Sequence, residues 1–252
     1  MIDRWRLAAN LATTSNAVLG VAAVLYIRAG NPVWALVLIA AGVGLDGLDG
    51  RFSRRSPKPP SRFGRVADSV ADALTFGVAP FFLLAYHTAD SSLWTALAPI
   101  PLIVGTLYLA AAVARLVYFT GWAFERPHFL GVPTPQAALT LSVLVLWAGT
   151  PAFWGVRPAL LLGGALTLAL LMVVPVPFPK IKRGQPLRPV FVAAGVALLA
   201  ALVPVQFVPA AGSGLYLLAE GASLVAGAGL IAYFVVGPWT VPRPPARTVP
   251  TP

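Results

Sequence analysis

Apolar residues run along this chain in long blocks, each ended by a short cluster of glycine, proline or charge. A helix needs about 20 apolar residues to cross a bilayer core. On that criterion the pattern predicts eight helical spans, at about 11–27, 33–50, 66–87, 93–119, 135–149, 157–174, 189–207 and 213–236. The breaks fall at Gly30-Asn31-Pro32, Ser56-Pro57-Lys58-Pro59-Pro60, Ala89-Asp90-Ser91, Gly131-Val132-Pro133-Thr134-Pro135 and Gly184-Gln185-Pro186. The first block follows a charged segment and has the outline of a signal peptide. No small-x-small cleavage site closes it before Arg28, so it reads as a retained first helix. Residues 1–237 form one polytopic domain on this reading. Residues 238–252, with prolines at Pro238, Pro242, Pro244 and Pro245, read as an extended cytoplasmic tail.

Composition and charge agree. Of 252 residues 58% are hydrophobic and 10% charged, which excludes an ordinary soluble domain. The absence of cysteine excludes a disulfide framework and thiolate metal sites. The net charge of +10 has two readings, nucleic-acid binding or membrane topology. No aromatic-basic surface motif accompanies the charge, so a nucleic-acid partner is not expected. With eight spans both termini share a side, and all but Arg28 and Arg157 of the 18 Lys and Arg residues fall on that side. Positive loops face the cytoplasm. The expected fold class is therefore an all-α polytopic helical bundle in the cytoplasmic membrane, with both termini cytoplasmic.

Four of the eight acidic residues lie between Asp46 and Asp72. Carboxylates close to a bilayer core are costly and mark function. Asp46 and Asp49 are three apart near the end of the second span, and Asp68 and Asp72 four apart near the start of the third. Each spacing puts its pair on one helix face, so two connected helices can aim all four into one space. Such carboxylates repel one another, and a hard divalent cation relieves the repulsion. Oxygen donors without Cys or His suit Mg²⁺, Mn²⁺ or Ca²⁺ rather than zinc. The loop between the pairs carries Arg51, Arg54, Arg55, Lys58, Arg62 and Arg65 as candidate anion-binding groups, alongside their role in topology. Gly50 and Gly64 would let backbone approach a phosphate closely. Together these features imply a phosphate-bearing substrate at the cytoplasmic membrane face.

The same residues resemble the signature of the CDP-alcohol phosphatidyltransferase family, Asp-x2-Asp-Gly-x2-Ala-Arg, eight or nine residues, then Gly-x3-Asp-x3-Asp. Asp46, Asp49, Gly50, Arg54, Gly64, Asp68 and Asp72 match it, and Ser53 replaces the alanine. The resemblance implies transfer of a phosphatidyl group from CDP-diacylglycerol to an alcohol, with release of CMP. It implies that Asp46, Asp49, Asp68 and Asp72 bind divalent metal, Mg²⁺ or Mn²⁺, and that Asp72 is also the catalytic base. It implies that Asp49, Gly50, Arg54, Gly64 and Asp68 bind the CDP-lipid, among membrane lipids, and that the protein is a homodimer.

Three further segments resemble the branch of that family whose acceptor is L-serine. They are Asp72-Ala73-Leu74-Thr75-Phe76-Gly77-Val78-Ala79-Pro80, then Arg115 with the run Phe129 to Ala138, and Pro177-Phe178-Pro179-Lys180. A serine carboxylate needs a cation, and Arg115, charged within an apolar run, is the leading candidate; the alternative is snorkelling to the interface. Lys180 and Arg183 join it as acceptor-binding candidates. Rival acceptors are glycerol 3-phosphate, inositol phosphate and choline. A rival class is a cation transporter, which would spread its acids across the bilayer.

Overall fold

The computed structural model describes residues 3–57, 61–88, 99–123, 129–148, 156–157, 159–178 and 214–241. Its first helix, α1, spans Arg4–Arg28 and starts earlier than hydropathy alone indicates. The cause is Asp3, whose Oδ1 accepts from the amides of Trp5 and Arg6 at 3.0 and 3.3 Å. An N-cap of this kind satisfies donors that would otherwise be orphaned. The Ser56 hydroxyl donates to the other Asp3 oxygen, tying the chain after α2 back to the start of α1. That bond, before the amide contacts, holds the Asp3 carboxyl below its ordinary range. Trp5 completes the clasp by stacking on Phe52, with the guanidinium of Arg55 over its ring.

Helix α1 ends in a tight reversal. Gly30 has φ +77, its amide donates to Ile27 O, and the Asn31 amide donates to Tyr26 O. This glycine-terminated cap leads directly into Pro32, the first residue of α2 (Pro32–Ser53). The residues that α1 buries are Ala9, Ala12, Asn16, Gly20, Ala23 and Ile27, a single stripe at helical spacing. Small residues of this kind let helix backbones approach, and α1 packs along α2 and against the segment that follows it.

That segment is one long helical run containing an irregularity. Helix α3 (Arg62–Asp72) is capped by Ser61, whose Oγ accepts from the Gly64 amide at 3.0 Å. A π-helical stretch, Ala73–Val78, begins immediately after Asp72 and gives way to α4 (Ala79–Thr88). The wider π turn alters the regular carbonyl pairing, and the buried Tyr108 hydroxyl donates to Phe76 O at 3.2 Å. Single π turns of this sort are frequent at functional sites.

Tyr108 belongs to α5 (Pro99–Tyr118), whose buried stripe runs from Pro101 to Leu116 and includes Arg115. A two-stranded antiparallel ribbon pairs β1 (Phe129–Leu130) with β2 (Pro177–Phe178). Between the strands lie α6 (Thr134–Ala148) and α7 (Gly164–Val173), the latter preceded by a π-helical turn at Ala159–Gly163. Gly131 follows β1 with φ +74, and a Cβ there would come within 2.3 Å of Met172 O. Only glycine fits that turn. Helix α8 (Gly214–Val236) turns Ser223, Ala226, Leu230 and Tyr233 inward, and Phe178 of the ribbon stacks on Tyr233.

Among the described residues five helical segments are long and apolar enough to cross a membrane: Arg4–Arg28, Pro32–Ser53, Arg62–His87, Pro99–Gly121 and Gly221–Thr240. Thr134–Ala148 and Ala159–Val173 are apolar but shorter. The expected span at 189–207 lies outside the described residues, as do Lys180, Arg183 and residues 242–252 of the tail. The tail was expected to be extended from Pro238, but Gly237–Thr240 forms a 3-10 turn first and the chain extends at Val241. Proline is accommodated because it occupies the first turn, where its missing amide would have no helical partner.

Candidate active site

The ends of α2 and α3 bring the paired aspartates together, as their spacing requires. Carboxylate oxygens of Asp46, Asp68 and Asp72 all lie within 4.8 Å of one another. Asp72 is buried, while Asp46 and Asp68 are half-buried. Asp49 is buried beside them and linked through α1. The Thr13 hydroxyl lies 3.2 Å from Asp49 Oδ2 and 3.5 Å from Asp68 Oδ1. One hydroxyl proton cannot serve both carboxylates at once, so Thr13 bridges the pairs without neutralising either.

One turn further along α1, Asn16 Nδ2 donates to Asp72 Oδ1 at 3.0 Å. Thr13 and Asn16 were not among the sequence-derived candidates. Asn16 lies on the stripe that α1 buries and Thr13, half-buried, sits three residues before it; a polar residue on an otherwise apolar buried face is the signal that could have found Asn16.

The donor set suits a hard divalent cation. Three carboxylates offer oxygens within 4.8 Å, and the chain holds no cysteine that would favour a softer metal. The motif glycines leave the rim open. A Cβ at Gly50 would meet the flexible Arg54 Nη1 at 3.3 Å, and one at Gly64 only the Ser61 hydroxyl, also at 3.3 Å. Arg51, Arg54, Arg55 and Arg62 are exposed around the α2–α3 connection. Gly44 faces open space, whereas at Gly20 and Gly42 a Cβ would come within 2.6 Å of Thr75, so these two let α1 and α2 close on the segment after Asp72.

Arg115 reaches the site from α5. It is buried, and its Nη1 donates to Thr134 Oγ1, itself buried, at 3.0 Å. Asp72, Asp46 and Tyr233 are all within its electrostatic reach. The interfacial snorkelling considered for Arg115 does not occur, because the residue continues the stripe that α5 turns inward. The Gly131 turn places Thr134 at the head of α6, so Arg115 and the run from Phe129 to Ala138, paired in the sequence reading, meet here. Ser69 and Thr120 pair, joining α3 to the π-helical turn Phe119–Ala123 that follows α5.

His87 lies away from this cluster. Arg157 Nη2 donates to its carbonyl at 3.1 Å and sits 3.3 Å from its Nδ1. His128 is outside the described residues.

Comparison with known proteins gives this arrangement a lineage. The family model for CDP-alcohol phosphatidyltransferase matches residues 6–178. A CDP-diacylglycerol–serine O-phosphatidyltransferase of Helicobacter pylori is 32% identical over 177 residues, covering 69% of this chain and 72% of that protein. The protein of the same description from Bacillus subtilis is 33% identical over 171 residues, 68% of this chain and 89% of its own length. An archaetidylserine synthase of Methanothermobacter thermautotrophicus is 28% identical over 148 residues, 58% of each chain. This chain belongs to the CDP-alcohol phosphatidyltransferase family.

Proposed function

We propose, from that family membership, that the protein transfers a phosphatidyl group from CDP-diacylglycerol to L-serine, forming phosphatidylserine and CMP. The observation that carries the reading is the convergence of Asp46, Asp68 and Asp72 within 4.8 Å, with the buried guanidinium of Arg115 in electrostatic range of Asp72 and Asp46. The first three supply a centre for diphosphate chemistry, and the fourth a cation for an acceptor carboxylate. The names of the Helicobacter and Bacillus relatives support serine as that acceptor.

In the proposed reaction the serine hydroxyl oxygen attacks the phosphorus that carries diacylglycerol. The new P–O bond forms as the phosphoanhydride bond breaks, and CMP leaves with the bonding electrons. Asp72 takes the hydroxyl proton, as general-base catalysis requires. Asp46, Asp49, Asp68 and Asp72 would hold Mg²⁺ or Mn²⁺, which when bound neutralises charge developing on the diphosphate. Asp49, Gly50, Arg54, Gly64 and Asp68 bind the CDP-lipid, with the open rim at both glycines leaving room for it. Arg115, held by Thr134, orients the serine carboxylate, and Lys180 and Arg183 complete the acceptor site. The distribution of positive charge supports eight spans with both termini and the active site on the cytoplasmic side.

The test is CMP release by purified protein supplied with CDP-diacylglycerol and Mn²⁺ or Mg²⁺, across a panel of alcohols. Stimulation by L-serine alone establishes reaction and acceptor. Stimulation by glycerol 3-phosphate or inositol phosphate keeps the reaction and discards the serine assignment.

A further inference from the structure

Asn16 is a fully buried amide in an otherwise small and apolar helix stripe, at 0% exposure. Burying such a group is costly unless it is hydrogen-bonded. Its Nδ2 donates to Asp72 Oδ1 at 3.0 Å, while its Oδ1 has no hydrogen-bond partner among the described residues. That oxygen faces Gly42, where an ideal Cβ would approach to 2.8 Å. Packing alone would be better served by alanine, which carries no polar atom to bury. The contact with Asp72 is what the amide adds.

The surroundings fix Asn16 from the other direction. Its backbone carbonyl accepts from Thr75 Oγ1 at 2.7 Å, and Thr75 lies in the π-helical stretch that begins directly after Asp72. Two bonds of opposite sense therefore join α1 to the Asp72 helix, one from Asn16 to Asp72 and one from Thr75 to Asn16. Gly20 and Gly42 leave the space in which Thr75 and Asn16 meet. The π turn brings Thr75 onto α1, and the glycines hold the helices close enough for the 3.0 Å bond to form.

We infer that Asn16 is a positioning residue for Asp72: it holds Oδ1 and so fixes the carboxylate plane, leaving Oδ2 for the reaction. The donor is neutral, so it orients the carboxylate without placing a competing cation beside a centre that suits a divalent metal. The inference rests on the proposed role of Asp72 and deepens it.

The experiment compares full-length Asn16→Ala, Asp72→Asn and the double variant in CMP release, in thermal stability, and in Mn²⁺ binding read from the spin-resonance signal of the free ion. Asn16→Ala is expected to lower kcat about 10–100-fold, the range for losing a partner that orients a functional ligand. The apparent KM for CDP-diacylglycerol should stay within about twofold, since ground-state binding is untouched. The double variant should be no slower than Asp72→Asn, because the group through which Asn16 acts is already altered. Mn²⁺ binding should weaken on Asn16→Ala in the wild-type background and not in the Asp72→Asn background.

A kcat within about twofold of wild type overturns the inference. So does a loss of rate matched by equal losses of CDP-lipid affinity and melting temperature, which marks a merely structural role. If Asp72→Asn keeps the wild-type rate, the proposed base fails; an Asn16 effect that persists in that background then overturns this inference separately. If Asp72→Asn has no measurable rate, the Mn²⁺ isotherms decide. Should Asn16→Ala not fold, Asn16→Ser, polar but too short for the bond to Asp72, carries the same expectations.

Discussion

Arg115 Nη1 donates to Thr134 Oγ1 at 3.0 Å, joining the buried face of α5 to the first residue of α6. Both groups are out of water, so the bond fixes the guanidinium in direction as well as position. A planar cation held in this way can meet a carboxylate squarely, which a flexible ammonium does not do.

Arg115→Ala should therefore raise the apparent KM for serine more than that for CDP-diacylglycerol. Hydrogen bonds to a charged group contribute about 1.5–3 kcal/mol, equivalent to roughly tenfold to over a hundredfold in serine KM. Arg115→Lys should recover little of it, and Thr134→Val should cost only a few-fold. Steady-state titration of each substrate at saturating levels of the other reads the difference; equal shifts for both substrates remove Arg115 from the acceptor site.

Asp72→Asn keeps the shape of the side chain and removes its capacity to take a proton. The expected loss is about 10²–10⁴-fold in kcat, with CDP-diacylglycerol still bound. Single-turnover CMP release after pre-binding of the lipid separates the chemical step from binding. A wild-type rate in folded, metal-supplied protein excludes Asp72 as the base.

Chelation should abolish CMP release, and Mg²⁺ or Mn²⁺ should restore it. Asp46→Asn and Asp68→Asn each remove one oxygen donor from the 4.8 Å cluster. Each should raise the Mn²⁺ concentration for half-maximal rate by about 10-fold or more. Activity that survives exhaustive chelation unchanged would contradict the metal reading.

Gly131→Ala tests the turn that sets Thr134 beneath Arg115. An L-residue at φ +74 is strained by about 1–2 kcal/mol, and the added Cβ would also approach Met172 O to 2.3 Å. A clear fall in melting temperature is expected, with the serine KM rising before that for CDP-diacylglycerol. Unchanged stability would show that the turn relaxes without cost.

Much of this site is legible in the chain alone. Hydropathy located the described helices closely, except that the Asp3 cap starts α1 at Arg4 rather than near 11, because transfer of apolar side chains into a bilayer is a local and additive property. The intervals of three and four between aspartates dictated that each pair share a face, since helix geometry converts sequence spacing directly into direction. What lay beyond the sequence was decided by packing between distant segments. Thr13 and Asn16 bound a short polar run in α1, Thr13 to Asn16, and nothing local says which partner each meets. Only the approach of α1 to the Asp72 helix, through Gly20, Gly42 and the π turn at Ala73–Val78, supplies that partner. Arg115 likewise had two local solutions, snorkelling or burial, and the inward face of α5 with Thr134 waiting on α6 selected the second. Local spacing determines which face a residue occupies. Its hydrogen-bond partner across the bundle is a long-range contact, set by how whole helices fit together.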